Sequence, residues 1–300
     1  MPGRLRGPLL PSGSDLGRRL HDYGPGLVAA VAFAGADIFT KLALAAGTDV
    51  LTIATVRSLL GVGLTAAWIA LGRAPVPLTA TERGVASAVG VLYAGIIFCV
   101  FKAIELLTVP MAILTYFSYP LVTGIAGALL GVEKLGWRGL AAAAVAFAGL
   151  ALTIGANPGD VSLAGIAYAL AAAACRVAVL LVSRVWLLRA DARLSTWYSG
   201  LVTTALFCVA SLVLQHFVPP VGPVGWLWVV LIGVTTTTGV AVLFVSTTRI
   251  GPFLTALTMN LEPLLATVLS ALFLGELFTL VQALGAAVMI ASLFAFQLRR

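Results

Sequence analysis

Apolar residues follow one another in long runs along this chain, and short polar stretches separate the runs. Each run has about 20 residues, the length that an α-helix needs to cross a hydrocarbon layer roughly 30 Å thick. Lipid cannot satisfy free backbone N–H and C=O groups, so each run is predicted to be a helix. The fold class is therefore all-α integral membrane, with ten transmembrane helices at 26–46, 50–71, 84–106, 108–131, 138–156, 162–188, 195–217, 224–248, 252–274 and 278–298.

The segments between the runs contain turn-forming residues. Glycine, proline, asparagine and aspartate cluster at 72–75, 157–160 and 219–223, where they favour turns between helices. Residues 1–25 are rich in glycine, proline and arginine and lack a long apolar run. They are predicted to form a disordered cytoplasmic tail rather than a cleaved signal peptide.

Composition supports the membrane class, since 61% of the residues are hydrophobic and only 10% are charged. The net charge of +7 could indicate nucleic acid, but the positions of the basic residues indicate orientation instead. The loops on one side contain no lysine or arginine. The positive-inside rule then predicts a multi-pass protein of a bacterial-type inner (plasma) membrane, with both termini cytoplasmic and no nucleic-acid partner. The tails and loops assigned to the cytoplasm contain Arg4, Arg6, Arg18, Arg19, Arg73, Arg83, Lys134, Arg138, Arg189, Arg193, Arg249, Arg299 and Arg300.

An internal repeat relates the two halves of the chain. Sliding the sequence by 143 residues aligns their polar and turn-forming positions, and each half then holds five predicted helices. Because five is odd, the second half enters the membrane from the opposite side. Such inverted repeats are typical of secondary transporters, although a duplication that no longer serves transport is an alternative. The aligned pairs are Thr40 and Lys41 with Ser183 and Arg184, Leu51 and Thr52 with Leu194 and Ser195, Gly90 with Gly233, Pro120 with Pro263, and Glu133 with Glu276.

The repeated segments resemble the duplicated EamA unit of the drug/metabolite transporter superfamily. In that unit a helix with a central proline leads into a Gly-Glu turn and a helix of small residues. The first copy departs slightly, because Val132 separates the glycine from the glutamate. The stretches that carry the resemblance are 112–121 with 131–135, and 254–264 with 274–277.

The resemblance implies two EamA-like five-helix repeats, at 26–156 and 162–298, the second inverted relative to the first. Length and helix number look like the ten-helix bacterial exporters, which include exporters of aromatic amino acids. The resemblance also implies a central cavity lined mainly by predicted helices 1, 3, 4, 6, 8 and 9. Members of the superfamily carry amino acids, sugars, nucleotide sugars or drugs, so the resemblance does not fix the cargo.

Charges within the apolar runs are the candidates for binding a substrate, because each costs about 2.5–3.5 kcal/mol at mid-bilayer unless it meets a partner or water. Arg176 has no acidic neighbour one turn away and is predicted to bind a carboxylate or phosphate. Glu262 precedes a proline and could hold an ammonium group or a proton. Tyr116 aligns with Met259 under the repeat and Tyr119 with Glu262, and either tyrosine could instead serve packing.

Two further groups of charges have open interpretations. Asp37 and Lys41 lie four residues apart on one helix face, so they form either a structural ion pair or part of the substrate site. Lys102 and Glu105 are three apart, at a predicted cavity mouth or gate. Arg57 lies nearer a helix end and is predicted to snorkel towards water.

A zwitterion with an apolar side chain would suit the acid, the base and the tyrosines, so an amino acid is the favoured cargo. The predicted function is a secondary transporter that exports such small metabolites by alternating access, as a monomer or homodimer in the lipid bilayer. A sugar- or nucleotide-linked metabolite, a cationic drug and an integral membrane enzyme are the alternatives. No catalytic set is recognisable, and His21 and His216 stand apart without a ligand pattern, so neither a metal site nor a cofactor is expected.

Overall fold

A computed structural model describes residues 13–129, 141, 144–145, 148–149, 152, 162–187, 189–259, 261–276 and 279–298. This part of the chain is helical, and turns and short irregular segments connect the helices. The helices are α1 (Gly13–Ala45), α2 (Val50–Leu71), α3 (Ala80–Leu106), α4 (Val109–Tyr116), α5 (Tyr119–Leu129), α6 (Leu163–Trp186), α7 (Ala192–Val213), α8 (Gly222–Met259), α9 (Leu261–Leu274) and α10 (Leu280–Leu298).

Six stretches of these helices are long and apolar enough to cross a membrane, so the predicted all-α membrane class is confirmed. The prediction of ten spans goes beyond these six, and the predicted helix 138–156 lies mostly outside the described residues. The six stretches are Tyr23–Ala45, Val50–Leu71, Ala80–Leu106, Leu163–Ser183, Arg193–Val213 and Gly222–Leu243.

Polar side chains define where several helices begin. The Asp49 carboxylate accepts backbone N–H groups at the start of α2, and Asp191 does the same for α7. Thr79 and Glu82 form a capping box at the start of α3. Each of these side chains satisfies backbone donors that have no partner inside the helix.

Three predicted helix boundaries are wrong. The first helix was predicted to begin at residue 26, but α1 already begins at Gly13, within the predicted tail. The predicted helix 108–131 is interrupted at Phe117 and Ser118, between α4 and α5. The predicted boundary between 248 and 252 does not exist, because α8 continues to Met259 and α9 begins at Leu261.

The interruption between α4 and α5 comes just before Pro120. Proline lacks the N–H that a continuous helix would need there, whereas the first turn of a new helix tolerates it. Under the shift of 143 residues, Pro120 corresponds to Pro263, and Phe117 corresponds to Asn260, which lies outside the described residues.

The helices of the two halves pack on each other in matching pairs. The first helix of each half packs on the third helix of the other, α1 on α8 and α6 on α3. Close contacts at glycine show the same symmetry between the halves. Gly90 of α3 lies against Ser199 of α7, and the corresponding Gly233 of α8 lies against Leu60 of α2. The largest buried apolar cluster among the described residues contains Phe117, at the interruption between α4 and α5, and residues from α1, α3, α4, α6, α9 and α10. The interruption is therefore held inside the protein.

Candidate functional site

Arg176 of α6 lies among three tyrosine side chains. Its guanidinium carbon is 5.6 Å from the ring centroid of Tyr119, and its guanidinium also reaches the hydroxyl group of that residue. Tyr116 and Tyr93 are further electrostatic neighbours. The face of an aromatic ring attracts a cation electrostatically, so the tyrosines position this charge without neutralising it.

The tyrosines themselves form a packed aromatic group at the interruption between α4 and α5. The rings of Tyr116 and Tyr119 have centroids 5.2 Å apart, and Phe117 lies 5.7 Å and 5.5 Å from the two respectively. Phe117 is 2% exposed, whereas the two tyrosines are half-buried. The buried phenylalanine anchors the group, and the tyrosines are the members that remain partly accessible.

Glu262 supplies the opposite charge. It is 9% exposed, lies in the first turn of α9 and is a charged neighbour of Arg176. The Nε atom of Arg176 is buried and has no hydrogen-bond partner among the described residues. The base therefore has hydrogen-bonding capacity left over for a ligand.

Asp37 of α1 extends this cluster towards the other side of the protein. It is 8% exposed, has Glu262 and Arg57 as charged neighbours, and its Oδ2 atom lacks a partner in the described part of the chain. Ile38 and Ala266, near Asp37 and Glu262 respectively, belong to the same buried cluster, which brings α1 and α9 together.

Sequence reasoning missed Arg57, which does not snorkel to water as predicted. Its Nε atom donates to the hydroxyl group of Thr236 at 3.2 Å, and its guanidinium carbon lies 5.8 Å from the ring centroid of Phe101. The signal was present, because Arg57 stands seven residues after the start of α2 at Val50, about 10 Å into the helix.

Lys41 belongs to a different group, and the described contacts do not include the Asp37–Lys41 ion pair that was one of the two interpretations of the sequence. The Lys41 ammonium instead donates to the backbone carbonyls of Ile104 at 2.7 Å and Leu107 at 2.6 Å. It also lies 3.8 Å from the carboxylate of Glu276. Carbonyls at the end of a helix lack intrahelical partners and attract a cation, and Lys41 satisfies two of them.

The remaining predicted site residues lie around the cluster. Lys102 and Glu105 form an ion pair of 2.6 Å within α3, with about a third of each side chain exposed. Met259 is half-buried and is the last described residue of α8. The structure thus brings Arg176, Glu262, Tyr116 and Tyr119 together with Asp37, and it separates Lys41 from them. Among the described residues no group of His, Cys, Asp and Glu could hold a metal ion.

Comparison with known proteins gives one family match and one informative structure. A model of the EamA-like transporter family matches residues 25–155 and 163–297. One crystal structure of a protein is similar over 90% of this chain and 98% of its own, with a TM-score of 0.62 and 21% sequence identity. That likeness shows the fold alone. A comparison with curated proteins gave no match.

Proposed function

Because this chain belongs to the EamA-like transporter family, we propose that it exports amino acids, including those with aromatic or apolar side chains. The family already makes it a multi-pass membrane transporter of small solutes rather than an enzyme. Family membership does not establish the cargo or the direction of transport, so these two parts are the proposal.

The observation that carries the proposal is the meeting of Arg176 and Glu262 inside the protein. One buried acid beside one base with a free Nε atom matches the ammonium and carboxylate groups of a zwitterion. Two opposite charges in an apolar interior cost several kcal/mol unless each has a partner, so a cargo that carries both charges is favoured over a neutral sugar.

The aromatic residues support the other part of the proposal, that the cargo carries an aromatic or apolar side chain. Tyr93, Tyr116 and Tyr119 offer ring surface next to the base, and ring surface favours an aromatic or apolar side chain on the cargo. A cationic drug would face the Arg176 charge unfavourably, and a nucleotide-linked metabolite would need more basic groups at the site.

Alternating access is the proposed mechanism. Two similar halves of inverted topology can rock about one site and expose it to each side in turn. The interruption at Phe117 supports this mechanism, because broken helices near the middle of inverted repeats commonly form transporter binding sites. Tyr119 and Glu262, which correspond to each other under the shift of 143 residues, then approach the cargo from the two repeats.

The proposed orientation has both termini in the cytoplasm of a bacterial-type cell, with the protein in the inner membrane. Reporters fused after Arg73, Lys134, Arg189 and Arg300 are expected to give cytoplasmic signals. A periplasmic signal at any of these junctions contradicts the ten-helix, N-in arrangement. The oligomeric state, proposed to be a monomer or a homodimer, can be measured on the purified protein.

Counterflow in proteoliposomes tests the cargo. Liposomes loaded with unlabelled phenylalanine are expected to accumulate labelled phenylalanine transiently, whereas phenethylamine and phenylpropionate, which each lack one charged group, should compete weakly. Arg176→Gln is expected to abolish counterflow, and Arg73→Gln, at an exposed arginine in the connector between α2 and α3, serves as the matched control. Equal competition by the zwitterion and by either singly charged analogue would overturn the zwitterion assignment.

A further inference from the structure

Lys41 and Glu276 together hold the connector between α3 and α4 at one end of the helix bundle. Lys41 donates to the carbonyls of Ile104 and Leu107, where α3 ends. The Glu276 Oε2 atom accepts the backbone N–H of Val109, the first residue of α4, at 2.9 Å. The two charged groups lie 3.8 Å apart, so a single ion pair satisfies the end of one helix and the start of the next.

The ion pair also joins the two repeats. Lys41 and the connector belong to the first repeat, whereas Glu276 follows α9 in the second. Ser270 of α9 donates to Glu276 at 2.5 Å and anchors the carboxylate to its own repeat. This contact must therefore break whenever the two halves separate at this end of the bundle.

The position of Lys41 places the ion pair between the outside and the central cluster. Asp37, Thr40 and Lys41 share one face of α1, and Lys41 is one turn nearer the end of that helix at Ala45. Asp37 has Glu262 as a neighbour in the central cluster. A solute that moves between the cluster and this end would pass the Lys41–Glu276 contact.

We propose that the Lys41–Glu276 pair is a gate, closed in this structure, that seals one end of the transport pathway. The inference rests on the proposed alternating access but not on the identity of the cargo. Opening at this end exchanges the buried contacts of Lys41 and Glu276 for water, and closing restores them.

Sequence symmetry predicts that the corresponding contact at the opposite end is weaker. Under the shift of 143 residues, Lys41 corresponds to Arg184 and Glu276 to Glu133. The two donors that hold Glu276 have no counterparts, because Val109 corresponds to Pro252, which lacks an N–H, and Ser270 corresponds to Gly127, which lacks a side chain. The arrangement of Glu133 lies outside the described residues. The sequence nevertheless favours the state seen here, closed at the Lys41 end, as the resting state.

Accessibility of a cysteine behind the gate tests the proposal. Thr40 is fully buried and lies between Asp37 and Lys41 on the same face of α1, so Thr40→Cys reports whether water reaches that point. The three native cysteines, Cys99, Cys175 and Cys208, are replaced by alanine in the background protein. A membrane-impermeant thiol reagent is then added to each side of the membrane separately.

Glu276→Gln and, independently, Lys41→Met are expected to speed labelling of the cysteine about tenfold from the Lys41 end only, since loss of one charge-assisted contact shifts a two-state equilibrium by that order. Glu133→Gln should not speed it. The matched control is Glu82→Gln, in the capping box at the opposite end of α3, where glutamine can still cap the helix. That control should leave the labelling rate unchanged.

Two results overturn the proposal. One is an unchanged labelling rate in both gate variants together with lowered thermal stability, the behaviour of a contact that only holds the connector. The other is an equal rise in the Glu82→Gln control. Labelling needs no substrate, so absence of amino-acid counterflow contradicts the proposed cargo without affecting this test.

Discussion

Arg176 and Tyr119 meet where the helical backbone is interrupted, with the guanidinium carbon 5.6 Å from the ring centroid. Tyr119 is the first residue of α5, so the interruption sets the direction from which the ring approaches the base. The geometry makes the ring, rather than an ion pair, the closest support of the charge. The orientation of Arg176 should then depend on the aromatic ring at position 119.

Replacing Tyr119 tests this dependence. Tyr119→Leu removes the ring and is expected to raise the KM of counterflow about 3- to 30-fold, since a desolvated cation–π contact contributes roughly 0.5–2 kcal/mol. Tyr119→Phe keeps the ring and should have a smaller effect. The measurement is the concentration dependence of amino-acid counterflow for both variants. An equal loss with phenylalanine and with leucine would assign the effect to the hydroxyl group instead.

The roles of Arg176 and Glu262 can be separated by combining their substitutions. As substrate-binding groups, Arg176→Gln and Glu262→Gln should each fold normally and abolish counterflow, and the double variant should not recover it. As a purely structural pair, Arg176→Ala would strand a buried carboxylate and lower the folded yield, at a cost of about 3–5 kcal/mol. The double variant would then restore both yield and transport. Thermal stability measured beside liposome uptake distinguishes the two cases, and normal uptake by both single variants removes these residues from the site.

Gly90 marks the closest approach of α3 to α7. A Cβ atom at Gly90 would lie less than 2.5 Å from the backbone carbonyl of Ser199, which cannot move without shifting α7. Gly90→Ala is therefore expected to destabilise the protein by about 1–3 kcal/mol. Gly84→Ala, in the same helix but with open space around it, is the matched control and should not destabilise. Melting temperatures in detergent test the difference, and equal values for the two variants would contradict the close packing.

Stability should depend on pH through Asp191, which lies in a connector and caps α7. Partial burial alone would raise the pKa of this carboxyl, but hydrogen bonds from Arg193 and Val76 and the charge of Arg193 outweigh it and hold the pKa below its ordinary value. A lowered folded-state pKa gives stability that is fully present above the unfolded-state pKa and is lost as the pH falls through the folded-state pKa.

Asp191→Asn supplies the comparison, because asparagine can still cap the helix but does not titrate. The stability difference between the wild-type protein and Asp191→Asn should be largest near neutral pH and should shrink between about pH 5 and pH 2. The measurement is the melting temperature of both proteins across that range. A difference that grows as the pH falls would have the wrong sign for a carboxyl with a lowered pKa.

Helices with clear ends were predictable from the sequence, whereas interruptions inside apolar runs were not. The bounds predicted for α2 agree with Val50–Leu71, because Asp49 and the turn after Leu71 mark both ends. The interruption at Phe117 has no polar marker, and only the proline three residues later signals it. Conversely, Gly251 and Pro252 looked like a boundary, yet the backbone remains helical through both.

The central residues of the site were predictable from the sequence, but the contacts that each charged residue makes were not. Isolated charges in apolar runs identified Arg176 and Glu262 because hydrocarbon penalises them wherever they lie. Spacing along one helix suggested that Lys41 would meet Asp37, but it cannot reveal partners on other helices. The end of α3 offers Lys41 two carbonyl groups, and Arg57 likewise finds Thr236 on α8. Tertiary contacts of this kind decide which charges share a site.

The packing of helices from one repeat on helices of the other has a consequence for biosynthesis. α1 packs chiefly on α8, which the ribosome completes only after about two hundred further residues. Until then, Asp37 and Lys41 have neither Glu262 nor Glu276 available as a neighbour. The first five helices, expressed without the rest, would leave α1 with its polar face towards lipid, and such fragments become targets for quality-control proteases. Supplying the second half as a separate chain should protect the first half from degradation. If the gene were split between the two repeats, the two resulting genes would therefore depend on each other.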